Sequence, residues 1–223
     1  MRPDAYPVNA FIRFLIRTAC RLDARAFHRV PLRGPGIIAM NHINFLEAPL
    51  MACFLFPRSL AAMSKKENST NPGYAYFAKL WNAIPIDRGA VDTESFRVCL
   101  SWVEEGGFLG LAPEGTRSRT GVLGQGKAGV AVLAHRAGAL IWPVAHWGQE
   151  NFWSNLKKFK RTPLTVRVGK PFMIQPDPSM TRTVRQEVAD EIMCQIARLM
   201  PEKYRGPYAE TCFLPPKHLK YIE

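Results

Sequence analysis

The amino-acid sequence predicts an α/β fold: a mainly parallel central sheet flanked by helices, with an N-terminal amphipathic helix. Short apolar runs recur along the chain, and polar or charged residues follow each of them at once. Helix-like segments separate these runs, and strands that alternate with helices are typical of a parallel sheet. The chain has 223 residues, which is enough for one α/β domain with a substantial core.

The N-terminal segment is predicted to be a helix over residues 8–28. Arginines recur at every fourth position along one side: Arg13, Arg17, Arg21, Arg25 and Arg29. Apolar side chains fall on the other side: Phe11, Leu15, Ala19, Leu22 and Ala26. A basic amphipathic helix is typical of a segment that lies on anionic lipid. The alternative is a helix packed on its own domain with a solvated arginine face. We divide the chain into a membrane-associating helix, residues 1–30, and a main domain, residues 31–223.

The apolar runs predict strands, and each strand is followed by polar or ionisable side chains that could bind a ligand or take part in catalysis. The runs are 36–40 before Asn41-His42, 59–63 before Lys65, 83–86 before Asp87-Arg88, 107–112 before Glu114, and 139–145 before His146. A further strand is predicted over 164–168, and helices near 47–56, 74–80, 92–105, 125–137 and 181–200. Ligands bind outside the carboxyl ends of parallel strands, so these side chains should gather at one edge. Ordinary polar loops are the alternative.

Charge and cysteine usage limit the class of protein. The formal net charge of +12 indicates an anionic partner. No apolar stretch approaches the ~18 residues of a spanning helix, and arginines interrupt the N-terminal segment, so we expect neither a spanning helix nor a secretory signal. Five scattered cysteines without a Cys-x-x-Cys pair indicate reduced thiols in a cytosolic setting and no zinc site.

Residues 151–162 combine basic and aromatic side chains. The members are Lys157, Lys158, Lys160 and Arg161 with Phe152, Trp153 and Phe159. Such a mixture suits a membrane interface, and it also suits single-stranded nucleic acid. A solvated loop is the third alternative and the one that the sequence favours.

His42 and Glu47 can form one catalytic unit. A carboxylate that accepts a hydrogen bond from one imidazole nitrogen fixes the tautomer, and the other nitrogen can then take a proton from a hydroxyl. Residues five apart do not meet on a continuous helix, so His42 should lie in a turn and Glu47 in the first turn of the following helix. Asn44 is the predicted N-cap. A capping box between Asn44 and Glu47 is the structural alternative.

Two phosphate-loop patterns occur by letter at residues 121–128 and 124–129. Ala128 stands where the first pattern needs a Ser or Thr, and the second should follow a strand directly. We interpret both as chance matches. Lys127 can still meet an anion at the start of the following helix.

Four segments together resemble the ordered motifs of the glycerolipid acyltransferases of the lysophosphatidic acid type. They are Asn41-His42-x4-Glu47, Ala83-Ile84-Pro85-Ile86-Asp87-Arg88, Ala112-Pro113-Glu114-Gly115-Thr116-Arg117-Ser118 and Ile141-Trp142-Pro143-Val144. The resemblance covers roughly residues 30–175. Two positions depart from the pattern: the usual acid after His-x4 is Asp, and the usual residue two after the His is Ser, where this chain has Asn44.

The resemblance implies transfer of a fatty acyl chain from a thioester to the free hydroxyl of 1-acylglycerol-3-phosphate in phospholipid synthesis. His42 would be the general base and Glu47 would orient its ring. The implied acceptor site comprises Arg88, Glu114, Gly115, Thr116 and Arg117, with Lys65 and Lys127 as further candidates. Glu114 would contact a glycerol hydroxyl or position an arginine, since a carboxylate does not bind phosphate.

The expected partners are a lysophospholipid acceptor, an acyl-CoA or acyl carrier protein donor, and an anionic phospholipid surface. The expected place is the cytoplasmic face of the membrane, with the protein bound peripherally. No cofactor, metal or nucleic acid is expected. One alternative is acylation of a lysophospholipid with a larger headgroup. An alternative of another class is a non-catalytic basic protein that binds membranes or nucleic acid.

Overall fold

A computed structural model describes residues 5–86, 92–176 and 179–222, and the structural statements below concern these residues. The strands are β1 (Cys20–Asp23), β2 (Gly36–Met40), β3 (Leu60–Lys65), β4 (Ala83–Ile86), β5 (Phe108–Leu111), β6 (Leu140–Trp147), β7 (Thr162–Val168), β8 (Phe172–Ile174) and β9 (Leu219–Tyr221). The helices are α1 (Ala5–Ala19), α2 (Glu47–Phe54), α3 (Pro72–Leu80), α4 (Thr93–Glu104), α5 (Ala128–Ala137), α6 (Phe152–Lys157) and α7 (Arg182–Leu199).

The strands join in one sheet in the order β1-β7-β6-β2-β5-β3-β4, with β8 paired to β6 and β9 paired to β8. Strand β2 lies in the middle and is parallel to both neighbours, with Ile37 opposite Leu109 and Ile38 opposite Trp142. The pairs β3–β5, β3–β4 and β1–β7 are also parallel, whereas β7 and β8 run antiparallel to β6. The predicted fold class is confirmed, with β2 as the central strand.

The core lies on both faces of the sheet because the central strand is buried on both. Ile37 and Ala39 of β2 pack into one cluster with side chains of α4, α5 and α7. Ile38 and Met40 point the other way, as alternate residues of a strand do, and pack with α1 and α2. Each fully buried aliphatic side chain of this size contributes about 1.5–3 kcal/mol. This packing fixes the direction in which β2 delivers the residues that follow it.

The helix predicted over residues 8–28 is wrong beyond Ala19. Cys20–Asp23 forms strand β1, which pairs with β7, and Arg25–Arg29 is a short 3-10 helix. The four-residue spacing of the arginines continues through this segment, but pairing with β7 supplies the strand with backbone hydrogen bonds. Residues 20–23 therefore belong to the central sheet. The proposed division of the chain at residue 30 stays a prediction about membrane association.

The arginines of the N-terminal segment do not form one solvated ridge. Arg13 donates to the backbone carbonyls of Cys53 and Phe56 at the end of α2. Arg25 pairs with Asp23, and Arg29 donates to the carbonyl of Val168. The predicted arginine series is therefore divided between a helix, a strand and a 3-10 helix, although four of its five members stay exposed. Binding of this segment to lipid stays a prediction.

Two further differences concern the second half of the chain. Residues 152–157 form helix α6 where a solvated loop was favoured. Strands β8 and β9 were not predicted. Among the helices described, none combines the length and the apolar composition needed to cross a bilayer.

Candidate functional site

His42 lies in the turn between β2 and α2, with Glu47 at the first position of α2. The Nδ1 atom of His42 hydrogen-bonds with Oε2 of Glu47, so the structure brings the two side chains together as the spacing predicted. Because the carboxylate accepts from Nδ1, the neutral ring carries its proton there and its lone pair on Nε2. Nε2 has no hydrogen-bond partner within the described residues, and 18% of the side chain is exposed. This nitrogen is open to a substrate proton.

The two carboxylate oxygens of Glu47 have separate functions. Oε1 accepts from the backbone N–H of Ile43 and from that of Asn44, the latter at 2.7 Å. Oε1 therefore holds the turn before α2, while Oε2 contacts His42. The prediction of Asn44 as N-cap is wrong, because the N-cap is Leu46 and the Asn44 side chain instead accepts from the Leu46 N–H at 3.0 Å. The catalytic and structural interpretations of Glu47 thus describe different oxygens of one side chain.

Asn41 and His146 tie the end of β6 to the residue that precedes His42. His146 donates its backbone N–H to Oδ1 of Asn41 at 2.9 Å, and Nδ2 of Asn41 donates to the carbonyl of His146 at 2.9 Å. Nε2 of His146 lies 2.7 Å from the carbonyl of Asn41 and 3.8 Å from Oε1 of Glu47. His146 is fully buried. It therefore supports the His42–Glu47 pair from within the core, through Asn41.

Gln149 extends the same network. Its Oε1 lies 3.2 Å from Nδ1 of His146, and its Nε2 lies 3.3 Å from Oδ1 of Asn44. Asn44 returns a bond from Nδ2 to the backbone carbonyl of Gln149 at 2.9 Å. Sequence reasoning missed Gln149 and gave His146 no function. The one available signal was that His146 follows a predicted strand beside the strand of His42.

The loop after β5 holds the backbone of His42 on both sides. Oε1 of Glu114 accepts the His42 N–H at 2.8 Å, and the N–H of Ser118 donates to the His42 carbonyl at 2.7 Å. Oε2 of Glu114 accepts from the N–H of Gly124 at 2.8 Å. Burial raises the pKa of Glu114, and the hydrogen bonds from Gly124 and His42 oppose that rise. Glu114 thus has a positioning function that the sequence did not predict, and its contact with substrate stays a prediction.

The other predicted acceptor residues surround this loop. Gly115, Thr116 and Arg117 are exposed, and Gly115 has φ +67, a conformation that favours glycine. A Cβ at Gly115 would lie 3.4 Å from Cγ of Lys127, so the lysine side chain passes beside this loop. The Arg117 guanidinium has no hydrogen-bond partner in the part of the chain that the structure describes. Two cations are therefore available next to the segment that holds His42.

Lys65 and Arg88 are the two remaining candidates. Lys65 is exposed at the carboxyl end of β3, which is two strands away from β2. Adjacent strands are about 4.8 Å apart, which puts Lys65 roughly 10 Å from the end of β2 along the same edge. Arg88 lies outside the described residues. Within 5–86, 92–176 and 179–222, no cluster of His, Cys, Asp and Glu is suited to a metal ion.

An apolar groove of about 700 Å³ lies between α1 and α6, close to the turn that carries His42. Its walls include Ile12, Leu15, Phe45, Leu46, Trp153 and Phe159. Phe45, between His42 and Glu47 in the chain, stacks on Trp153 with ring centroids 5.1 Å apart. The groove therefore shares a wall with the turn that carries His42.

A mainly parallel sheet with a histidine–carboxylate pair and exposed cations near the carboxyl ends of its strands is an arrangement typical of α/β enzymes. The chain belongs to the acyltransferase family. The family model for acyltransferases matches residues 21–147, a range that contains His42, Glu47, Glu114 and Arg117. The resemblance inferred from the motifs is confirmed.

Several relatives carry the name 1-acyl-sn-glycerol-3-phosphate acyltransferase. The Bacillus subtilis protein is 27% identical over 142 residues, which cover 64% of this chain and 69% of that protein. The Streptococcus pneumoniae protein is 25% identical over 74% of this chain and 61% of its own length. The crystal structure of the Thermotoga maritima 1-acyl-sn-glycerophosphate acyltransferase superimposes with a TM-score of 0.60 at 18% identity, covering 87% of this chain and 79% of that one. That structure supports the fold.

Proposed function

We propose that this protein transfers a fatty acyl chain from a thioester donor to the free hydroxyl of 1-acylglycerol-3-phosphate. The observation that carries the proposal is the pairing of His42 Nδ1 with Glu47, which leaves Nε2 open at the edge of the sheet. The names of the relatives support the acceptor. Exposed Arg117 and Lys127 beside Glu114 offer a place for its phosphate.

The proposed reaction needs no covalent enzyme intermediate. Nε2 of His42 takes the proton of the acceptor hydroxyl as the hydroxyl oxygen attacks the thioester carbonyl. The carbon–oxygen bond forms, the carbon–sulfur bond breaks, and the leaving thiolate takes the proton from His42. Glu47 stabilises the imidazolium that exists between these transfers. Acyl-CoA and acyl carrier protein are both suitable donors for this chemistry.

Release of free thiol from an acyl thioester tests the proposal directly. We expect release that depends on added 1-acylglycerol-3-phosphate and that is slower with lysophosphatidylcholine or lysophosphatidylethanolamine. A preference for one of the larger headgroups would replace the proposed acceptor but keep acyl transfer. An absence of acceptor-dependent release with every acceptor and both donors would overturn the proposed function.

Arg117→Ala is expected to raise the acceptor KM by about 10- to 100-fold, because a hydrogen bond to a charged group contributes about 1.5–3 kcal/mol. The donor KM should change much less. Steady-state kinetics with each substrate varied in turn measures both. Arg88→Ala should act in the same direction by its place in the motifs.

Arg119→Ala is the matched control for this prediction. Arg119 is exposed in the same loop, two positions beyond Arg117, and it lies outside the motif. Its replacement should leave both KM values unchanged. A defect of Arg117→Ala confined to the donor KM would move this residue from the acceptor site to the donor site.

We propose that the protein binds an anionic membrane surface through α6 and the outer side of α1. Phe11 and Phe14 of α1 are 61% and 62% exposed, and Trp153 and Phe159 are 60% and 99% exposed. Three lysines lie beside Trp153 and Phe159 in the chain: Lys157, Lys158 and Lys160. Aromatic side chains with adjacent lysines match the interface between lipid headgroups and hydrocarbon. This surface adjoins the groove beside the catalytic turn, where a lipid substrate must arrive.

Replacing Lys157, Lys158 and Lys160 together with glutamate should weaken binding to anionic liposomes by at least about 100-fold, since each basic residue at such a surface contributes about 1 kcal/mol. Flotation with anionic and neutral liposomes measures this. The matched control reverses three exposed lysines elsewhere, Lys203, Lys217 and Lys220, and changes the net charge equally. Equal losses in both triple variants would show that total charge, and not this surface, determines binding.

A further inference from the structure

The segment before α5 is fixed by residues far along the chain. The N–H of Gly126 donates to the hydroxyl of Tyr208 at 2.8 Å, and the carbonyl of Gly126 accepts from Nε2 of Gln186 at 3.0 Å. Both polar backbone atoms of one glycine are thus bonded to side chains from α7 and the segment after it. These side chains therefore satisfy the hydrogen-bonding groups of a loop residue whose backbone could otherwise bond to water.

Asp190 joins the two partners of Gly126. Its Oδ1 accepts from the hydroxyl of Tyr208 at 2.7 Å and from Nε2 of Gln186 at 3.1 Å. The Tyr208 hydroxyl donates to Asp190 and accepts from Gly126, so its orientation is determined. Burial raises the pKa of Tyr208, and the hydroxyl therefore keeps its proton at neutral pH. We call these four residues the Gly126 network.

Close packing fixes the same segment against α7. A Cβ at Gly126 would lie 2.8 Å from Cγ of Met193 and 3.1 Å from the carbonyl oxygen of Ala189, so only glycine allows this approach. Three residues earlier, the N–H of Leu123 donates to the carbonyl of Tyr204 at 2.9 Å. The loop cannot shift toward or away from α7 without breaking one of these contacts.

Glu114 connects this loop to the turn that carries His42. Gly124, two residues before Gly126, donates its N–H to Oε2 of Glu114 at 2.8 Å. Oε1 of the same carboxylate accepts the N–H of His42 at 2.8 Å. The Lys127 N–H donates to the carbonyl of Pro113 at 2.8 Å, which joins the two sides of the loop a second time. Every link between Asp190 and His42 is therefore a hydrogen bond or a short stretch of chain.

We infer that Tyr208, Gln186 and Asp190 are positioning residues for acyl transfer, acting through Gly126, Gly124 and Glu114 on the backbone of His42. They touch no reacting atom. All three lie beyond residue 147, where the match to the family model ends, so this support comes from a part of the chain outside that match. The inference rests on the proposed function for its kinetic readouts and on geometry for its structural ones.

Tyr208→Phe tests the inference because it keeps the ring and removes the one atom that accepts from Gly126. We expect kcat to fall about 10- to 100-fold, with smaller changes in both KM values, as for a displaced catalytic group. The acid limb of the pH–rate profile should also move to higher pH. The Gly124 hydrogen bond lowers the pKa of Glu114, so weakening it lets the carboxylate protonate at a higher pH. The His42 contacts also favour the ionised form, so a weaker His42 N–H bond moves the pKa of Glu114 in the same direction, whereas Glu47 opposes the ionised form.

Hydrogen exchange gives a readout that does not depend on activity. The amide protons of His42 and Gly124 should exchange faster in Tyr208→Phe than in the unmodified protein, because both donate to Glu114. Tyr204→Phe is the matched control, since its hydroxyl has no hydrogen bond to any described residue while its carbonyl bond to Leu123 is a backbone bond. That variant should keep the exchange rates, kcat and pH profile of the unmodified protein.

Gln186→Ala is the second variant, for the case in which Tyr208→Phe fails to fold. Gln186 is half-buried on α7, and its loss frees the Gly126 carbonyl and removes one bond to Asp190 but keeps the Gly126 N–H bond to Tyr208. We therefore expect the same changes at smaller size. A lower Tm in both variants with unchanged kcat, pH profile and exchange at His42 and Gly124 would overturn the inference. If the unmodified protein releases no thiol, the proposed function fails, and the exchange rates still decide whether the network positions Glu114.

Discussion

His42→Ala is expected to abolish acyl transfer while the protein stays folded. The acceptor hydroxyl must lose a proton as it attacks, and Nε2 of His42 is a base with no hydrogen-bond partner among the residues that the structure describes. General-base catalysis of this kind contributes about 10²–10⁴-fold, so the residual rate should fall by at least that factor. Acceptor-dependent thiol release measures the rate, and thermal unfolding checks that the variant is folded.

His28→Ala is the control for this substitution. His28 is exposed in the 3-10 helix Arg25–Arg29, which contributes no residue to the site, and its loss should not change the rate. Turnover near that of the unmodified protein in His42→Ala would remove His42 from the mechanism. It would leave the Glu47 pair as a purely structural contact.

Glu47→Gln is expected to lower kcat by on the order of 10³–10⁴-fold, because it reverses the tautomer of His42. The amide oxygen can keep the backbone bonds from Ile43 and Asn44, which places the amide NH₂ against Nδ1. Nδ1 must then accept, the ring proton moves to Nε2, and the lone pair needed for the acceptor hydroxyl is lost. Steady-state kinetics of thiol release measures the loss.

Glu47→Asp distinguishes the chemistry of this position from its support of α2. A shorter carboxylate still accepts from Nδ1, so we expect partial activity even where the weaker backbone contacts lower Tm. The opposite pattern, with Glu47→Gln less stable but fully active, would show that Glu47 only satisfies the backbone N–H groups at the start of α2. The two oxygens of Glu47 make both measurements necessary.

The sequence by itself determined the elements whose signals are local. β2 and β4 have the predicted bounds, 36–40 and 83–86, because an apolar run that ends in polar residues marks a buried strand in any context. The same is true of His42 and Glu47, whose contact depends only on a turn followed by one helical turn. Four ordered motifs then predicted the family that the comparison confirmed.

Other features needed contacts between residues far apart in the chain. The arginine spacing favoured a helix through residue 28, but pairing with β7, about 140 residues away, made Cys20–Asp23 a strand. Local propensity is weak compared with a complete set of backbone hydrogen bonds in a sheet. Tertiary contacts also bind Arg13 and Arg29 to backbone carbonyls far along the chain. The exposed apolar surface combines Phe11, which the sequence placed on the apolar side, with Phe14 of α1 and Trp153 of α6.

The hydrogen bonds that support the His42–Glu47 pair were decided by tertiary structure alone. Asn41 meets His146 across 105 positions of sequence, and Gly126 meets Tyr208 across 82. No periodicity or short motif relates such residues, because a hydrogen bond depends on where the chain returns in space and not on the spacing along it. The sequence determined which residues can carry the chemistry of acyl transfer. The packing of β6 and α7 against the central strand decided which side chains hold them in place.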